Sequence, residues 1–274
     1  VDAALRNRYM QAMGIPVWMP KTQAITALTS PDKGRMGGVS SVSEVVLESP
    51  VFTSAQVKTI GISSPPEVVL ENPTPTLPLS GEGVSSLSWD ELRSAVVACS
   101  RCELSKTRTQ TVFGAGNQQA RWMVIGEAPG AEEDRRGEPF VGKAGQLLNN
   151  MLAAIGLPRE SIYIANILKC RPPNNRDPKP DEAANCRGYL ERQIALVQPT
   201  LILVVGRIAA QNLLQTTAPL ARLRSQEHRE PLTGTPVVVT YHPAYLLRQP
   251  ADKRKTWQDL LFAQEVFTRH AARC

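Results

Sequence analysis

The residues best suited to chemistry crowd into one loop of this chain. Gly126-Glu127-Ala128-Pro129-Gly130-Ala131-Glu132-Glu133-Asp134 is followed by Gly137-Glu138-Pro139-Phe140-Val141-Gly142. The glycines and Pro129 let the backbone approach something small along a fixed path. The acids repel an anionic phosphate, and Phe140 offers a flat face, so the loop suits a flat, neutral heterocycle. A second set is made of thiols. Cys99 and Cys102 form a C-x-x-C pair, Cys170 and Cys186 are separated by fifteen residues, and Cys274 ends the chain outside the set. Two distant pairs suit either a structural zinc or an iron–sulfur cluster, and spacing does not choose between them. The segment from Arg171 to Pro180 is basic and proline-rich. A metal at its base would brace it and present Arg171, Arg176 and Lys179 to phosphates. Of the three histidines, His228, His242 and His270, only His242 follows a strand-like run and enters a Pro turn.

These residues need elements to hold them. Apolar runs predict strands over Trp122–Ile125, Ile162–Leu168, Leu201–Val205 and Pro236–Thr240. Helical periodicity covers about 88–99, 143–156, 181–197, 207–214 and 252–269. The alternation predicts a largely parallel sheet with helices on both faces. Strand ends near 126, 169, 206 and 241 should line one edge, where ligands of open α/β sheets sit.

The chain has 274 residues and 42% hydrophobic content, enough for one sizeable core and something extra. No apolar run approaches membrane-spanning length, and no secretory signal opens the sequence, so a cytoplasmic location is expected. Of 31 Lys/Arg and 25 Asp/Glu, only 6 and 7 precede residue 86, so the basic excess belongs to the remainder. Such an excess favours a polyanionic partner. Residues 21–85 are rich in Pro, Ser, Thr and Gly and are expected to be a disordered linker. Residues 1–20 place Leu5, Tyr9 and Met13 at helical spacing before Gly14 and Pro16, the pattern of a partner-binding peptide.

Four segments agree on one family. They are Gly126–Asp134 with Pro139–Gly142, Asn166-Ile167-Leu168-Lys169-Cys170-Arg171-Pro172-Pro173-Asn174-Asn175, the cysteine set, and His242-Pro243-Ala244-Tyr245-Leu246-Leu247-Arg248. Together, over about residues 87–270, they resemble the family 4 uracil-DNA glycosylases, the iron–sulfur branch of that superfamily. The resemblance implies a three-layer α/β/α sandwich with a mostly parallel four-stranded sheet over residues 86–274. It implies a [4Fe–4S] cluster on Cys99, Cys102, Cys170 and Cys186, and excision of uracil from DNA in base excision repair to leave an abasic site. Glu127 and His242 then stand at the catalytic positions, with Ala128, Glu133, Phe140 and Asn166 at the substrate-binding ones. Ala244 stands where many members have Ser, which removes one hydroxyl contact to phosphate. Uracil-containing DNA is the implied partner of a monomeric, nucleoid-associated enzyme, with Leu247 as a wedge and Arg248 on a phosphate. A non-catalytic iron–sulfur DNA-binding module, a redox protein using the cluster for electron transfer, and a glycosylase of broader specificity, such as for hypoxanthine, are the rival readings.

The segment from Arg6 to Trp18 separately resembles the N-terminal peptide of the psi subunit of the bacterial polymerase III clamp loader. That likeness implies a clamp loader or other replication protein as partner.

Overall fold

The computed structural model describes residues 83–272, together with Asn7 and Gln11. The expectations for the 1–20 peptide and for the linker up to residue 82 fall outside the described residues, apart from those two positions.

Four apolar runs form parallel strands: β2 Trp122–Gly126, β3 Tyr163–Asn166, β4 Leu201–Val205 and β6 Pro236–Thr240. All four are buried along their whole length, as strands covered on both faces require. Val124 pairs with Ile164 on one side and Leu203 on the other, and Leu203 pairs with Val238. The sheet is not four-stranded, however. Two-residue antiparallel strands close its edges, β1 Ala115–Gly116 on β3 and β5 His228–Arg229 on β6, giving six strands in the order β1-β3-β2-β4-β6-β5. Pairings of two residues carry no hydrophobic run, so periodicity cannot reveal them; here they occupy edges that would otherwise offer free backbone groups.

Strand alternation divides the core in two. Val124, Leu203 and Val238 face one way, against α3 Lys143–Ala154, α7 Pro243–Arg248 and α8 Lys253–Ala271. Met123, Ile202 and Val237 face the other way, against α4 Pro180–Val197, α5 Arg207–Leu213 and α6 Leu220–Leu223. Helices on both faces make the three layers. α1 Trp89–Val97 adds a satellite core with Phe113 and Tyr189 of α4, and its start is fixed by a Ser88–Glu91 capping box. The short α2, Ala131–Arg136, lies in the Gly/Pro-rich loop after β2. Among the described residues no helix is long and apolar enough to cross a membrane.

The expected strand Ile162–Leu168 is shorter than its apolar run. Beyond Asn166 the regular ladder ends, although Ile167 and Leu168 still donate their N–H groups to the carbonyls of Gly126 and Glu127. The four parallel strands therefore end at Gly126, Asn166, Val205 and Thr240. The end of β6 is anchored from behind: the Thr240 hydroxyl donates to Asp259 at 2.7 Å, and Arg224 grips both oxygens of the same carboxylate.

Candidate active site

The carboxyl ends of β2, β3 and β6 open into one cavity of about 420 Å³. Its lining brings together Glu127, Ala128, Glu133, Phe140, Asn166, Arg176, His242 and Arg248, which the sequence had named from four separate stretches. Asp177, Asn175 and Tyr245 also line it. Arg171, Lys179 and Leu247 do not. Arg171 donates from Nε to Asn175 Oδ1 on the rim loop, and Lys179 is the exposed residue preceding α4. Leu247 is 45% exposed on α7, whereas its neighbour Leu246 is wholly in the core.

Close packing fixes the floor of the cavity. A Cβ on Gly126 would stand 2.5 Å from Asn166 Oδ1 and 2.6 Å from the Phe140 ring, so only glycine fits there. Phe140 adopts a left-handed backbone, φ 54°, which puts its ring over that point. Three neighbours hold this unfavourable conformation. A Cβ on Gly145 of α3 would lie 1.8 Å from the Phe140 carbonyl oxygen, so the helix start seats directly on this turn. Arg159 donates to the Pro139 carbonyl at 2.6 Å and reaches that of Phe140 at 3.4 Å. Glu133 accepts from the N–H groups of Gly130, Val141 and Gly142. Glu133 thus laces the two halves of the loop together, and its oxygens are largely spent on backbone. Arg159 escaped the sequence reading because it belongs to no motif and acts only through contacts made after folding.

His242 caps α7. Its Nδ1 accepts from the Ala244 N–H at 3.1 Å, which places the ring proton on Nε2. Burial holds its pKa down at about 4, with Arg248 adding to the effect, so the ring is a neutral donor at physiological pH. It stands 5.7 Å from the Phe140 ring, centroid to centroid. Asn166 is 2% exposed, and its Oδ1 is buried with no hydrogen-bond donor. Such an atom normally finds a partner, and Asn166 lines the cavity. Glu127 has its pKa raised to about 7, first by burial and then by Asp177, while Arg207 opposes the shift. Asp177 and Arg207 are themselves paired at 3.2 Å across the rim.

Arg176 is not the free cation that its place in a basic loop implied. It makes a two-pronged ion pair with Glu182, at 2.6 and 2.8 Å, and the Glu182 carboxylate is buried. That geometry braces the loop onto α4.

Cys99, Cys102, Cys170 and Cys186 are all free thiols and line a single small cavity with Arg108, Lys169 and Tyr189. Arg108 donates to Cys170 Sγ at 3.1 Å. Burial pushes the thiols of Cys102 and Cys170 up, and that of Cys186 up to about 12. Thiolates there need additional positive charge. Among the described residues no three His, Cys, Asp or Glu side chains form a set that could hold a single metal ion.

Residues 113–261 match the family model described as the uracil DNA glycosylase superfamily, and the chain belongs to that superfamily. Within it, the sequence is 46% identical over 169 residues to a type-4 uracil-DNA glycosylase of Archaeoglobus fulgidus, covering 60% of this chain and 85% of that protein. It is 41% identical over 159 residues to a type-4 uracil-DNA glycosylase of Thermotoga maritima, covering 58% and 82%. A type-5 uracil-DNA glycosylase of Pyrobaculum aerophilum is 28% identical over 191 residues, covering 58% and 83%.

The electrostatics of the cavity have a direct check. In a carboxylate-resolved NMR titration, Glu127 is expected to titrate near 7. Asp177→Asn should lower that value and Arg207→Gln should raise it, because the first removes a like charge and the second an opposite one. A Glu127 that titrates in the ordinary carboxylate range and ignores both changes would contradict the burial described.

Proposed function

We infer that this chain is a uracil-DNA glycosylase of the type-4 kind. It hydrolyses the N-glycosidic bond of uracil in DNA, releases free uracil and leaves an abasic site for repair. The observation that carries the chemical reading is the buried, unpartnered Oδ1 of Asn166 across the cavity from a neutral His242.

A base inside a duplex is out of reach, so the target must be flipped into the cavity. Phe140 supplies a stacking face for it. Asn166 Oδ1 accepts from the ring N–H of uracil while the amide NH₂ donates to the 4-carbonyl. Cytosine offers a bare nitrogen and an amino donor at those positions and leaves both amide groups opposed, a mismatch that discriminates strongly. As the glycosidic bond breaks, negative charge grows on the 2-carbonyl oxygen, and His242 Nε2–H donates to it. A neutral donor suits this role because it stabilises the developing charge without a proton having to be taken up first. Glu127, ionised above pH 7, orients water or offsets the cationic sugar. Glu133 and Arg159 act one step removed, by holding the loop that carries Phe140.

Arg171, Lys179 and Arg248 contact phosphates in this reading, and exposed Leu247 fills the gap left by the flipped base. Arg176 contributes by bracing their loop. Four free thiols lining one small cavity are the residues that would hold a [4Fe–4S] cluster, on Cys99, Cys102, Cys170 and Cys186. When bound, the cluster supplies a thiolate-ligated cross-link between the 99–102 turn, the base of the basic loop and α4. The resemblance of the 1–20 segment to psi makes a clamp loader the leading protein partner, with residues 21–85 as tether.

Excision is measured on oligonucleotides carrying uracil, hypoxanthine or a thymine mismatch, followed by alkaline cleavage. Uracil should be released. His242→Ala should slow single-turnover release by about a hundredfold or more, the scale of one lost oxyanion donor. Asn166→Ala should lose rate and uracil preference yet keep non-specific DNA affinity; wild-type rates in either variant would sink the pocket assignment. The wild-type rate should rise with pH through about 7 as Glu127 ionises, with no second limb from His242 until about 4, and Glu127→Gln should flatten the rise at a modest cost in rate. The purified protein should be brown with about four iron per chain, and stoichiometric colourless zinc would refute the cluster. Deleting residues 1–20 should leave turnover on short DNA intact and abolish clamp-loader pull-down; equal pull-down would overturn the tether.

A further inference from the structure

His242 enters the cavity from a turn that is gripped on both sides. Among the described residues its ring makes one hydrogen bond, to the Ala244 N–H inside the same turn. That bond sets the ring against the turn, but not the turn against the cavity. The neighbours of His242 do the second job. On one side the Thr240 hydroxyl donates to Asp259 at 2.7 Å, and the Tyr241 ring meets two partners. The Arg224 guanidinium stands over that ring at 4.4 Å, and the Tyr245 ring stacks on it at 5.1 Å with 18° between planes. On the other side Tyr245 lines the cavity, donates its N–H to the His242 carbonyl at 2.9 Å and fixes its hydroxyl on Asp252 at 2.6 Å.

Arg224 is where these contacts are joined. It directly follows α6, and its side chain is 11% exposed against 0% for Asp259. Nε and Nη2 hold the two oxygens of Asp259 at 2.7 and 2.9 Å. Nη2 also donates to the Lys255 carbonyl at 3.0 Å, and Nη1 reaches the Tyr241 hydroxyl at 3.4 Å. One planar group thus ties the end of α6, the first turns of α8 and both residues that precede His242. An ion pair this buried adds little stability over apolar side chains of the same volume. What a rigid fork with a flat face adds is direction, which a lysine does not supply.

We propose that Arg224 is a positioning residue for His242. Acting through Asp259 and Tyr241, it holds the end of β6 so that the His242 Nε2–H stands where the 2-carbonyl oxygen of uracil arrives. Arg224 and Tyr241 do not line the cavity, so neither touches the base. The proposal rests on the donor role of His242 argued above.

The test uses the full, iron-loaded chain in single turnovers at saturating enzyme. Arg224→Lys keeps the charge but loses the fork and the flat face, and should slow excision by about ten- to a hundredfold, the cost of a small misplacement of a reacting group. Tyr241→Leu should slow it likewise, and Tyr241→Phe, which keeps the ring, should restore the wild-type rate. The enzyme concentration that half-saturates uracil-containing DNA should not change. Combined with His242→Ala, Arg224→Lys should cost nothing further, whereas with Asn166→Ala the two losses should multiply. In ¹⁵N NMR the His242 Nε2 resonance should move in Arg224→Lys and in Tyr241→Leu but not in Tyr241→Phe. Losses that multiply with His242→Ala, an unmoved His242 resonance, a loss confined to DNA affinity, or a Tyr241→Phe as slow as Tyr241→Leu each overturn the proposal. Should Arg224→Lys fail to melt cooperatively, the two Tyr241 variants decide by the same measurements. If His242→Ala by itself excises uracil at the wild-type rate, the donor assignment fails and takes this inference with it. Failure of the Arg224 cycle alone leaves that assignment standing.

Discussion

The site depends on a missing methyl group. At Gly126 the end of β2 passes so close to Asn166 and Phe140 that a Cβ would meet both side chains at about van der Waals overlap, 2.5 and 2.6 Å. That approach brings an amide and an aromatic ring to one cavity floor. The constraint spreads outward from there. Phe140 must hold a left-handed backbone to place its ring, and this is sustained only because α3, Arg159 and Glu133 hold the turn together. A single position on one strand thus governs a loop, a helix start and two charged residues whose side chains never need to meet the substrate.

Around that floor, burial assigns the titratable groups to separate states. His242 and Glu127 are both partly withdrawn from water, and the same physical cause moves their pKa values in opposite directions. The imidazole is held neutral down to about 4 and the carboxyl is held protonated up to about 7. In each case it is the charged form that burial disfavours. The cavity thus holds a neutral N–H donor and a carboxylate poised near neutrality. The backbone N–H of Ala244 completes the arrangement by fixing which imidazole nitrogen carries the proton.

The basic loop shows how charge in a sequence differs from charge on a surface. Arg171, Arg176 and Lys179 read alike in the chain. Once folded, Arg176 is committed to the buried Glu182 and serves as a strut, while Lys179 remains exposed. Cys170, at the base of the same loop, lies four residues beyond Asn166, and between them the buried Lys169 donates to the Asn166 main-chain carbonyl.

The sequence by itself determined the four parallel strands, their order along the chain, the five longer helices and the convergence of strand ends on one edge, because fully buried strands and half-buried helices write their periods directly into apolar spacing. It also named Glu127, Phe140, Asn166 and His242, since glycine- and proline-marked turns flag where backbone meets a ligand. The edge strands Ala115–Gly116 and His228–Arg229 were invisible because two-residue pairings carry no pattern. The apolar run continues past the end of β3 at Asn166 because Ile167 and Leu168 are buried as well, their N–H groups bonded to the carbonyls of Gly126 and Glu127. Only the tertiary structure decided that Leu246 is core and Leu247 surface, that Arg176 and Glu133 brace the loops around them, and that Arg159 and Lys169 hold the main-chain carbonyls of Pro139 and Asn166. These are contacts between residues distant in sequence or groups hidden from water, and neither distance nor burial is encoded in the local spacing of residue types.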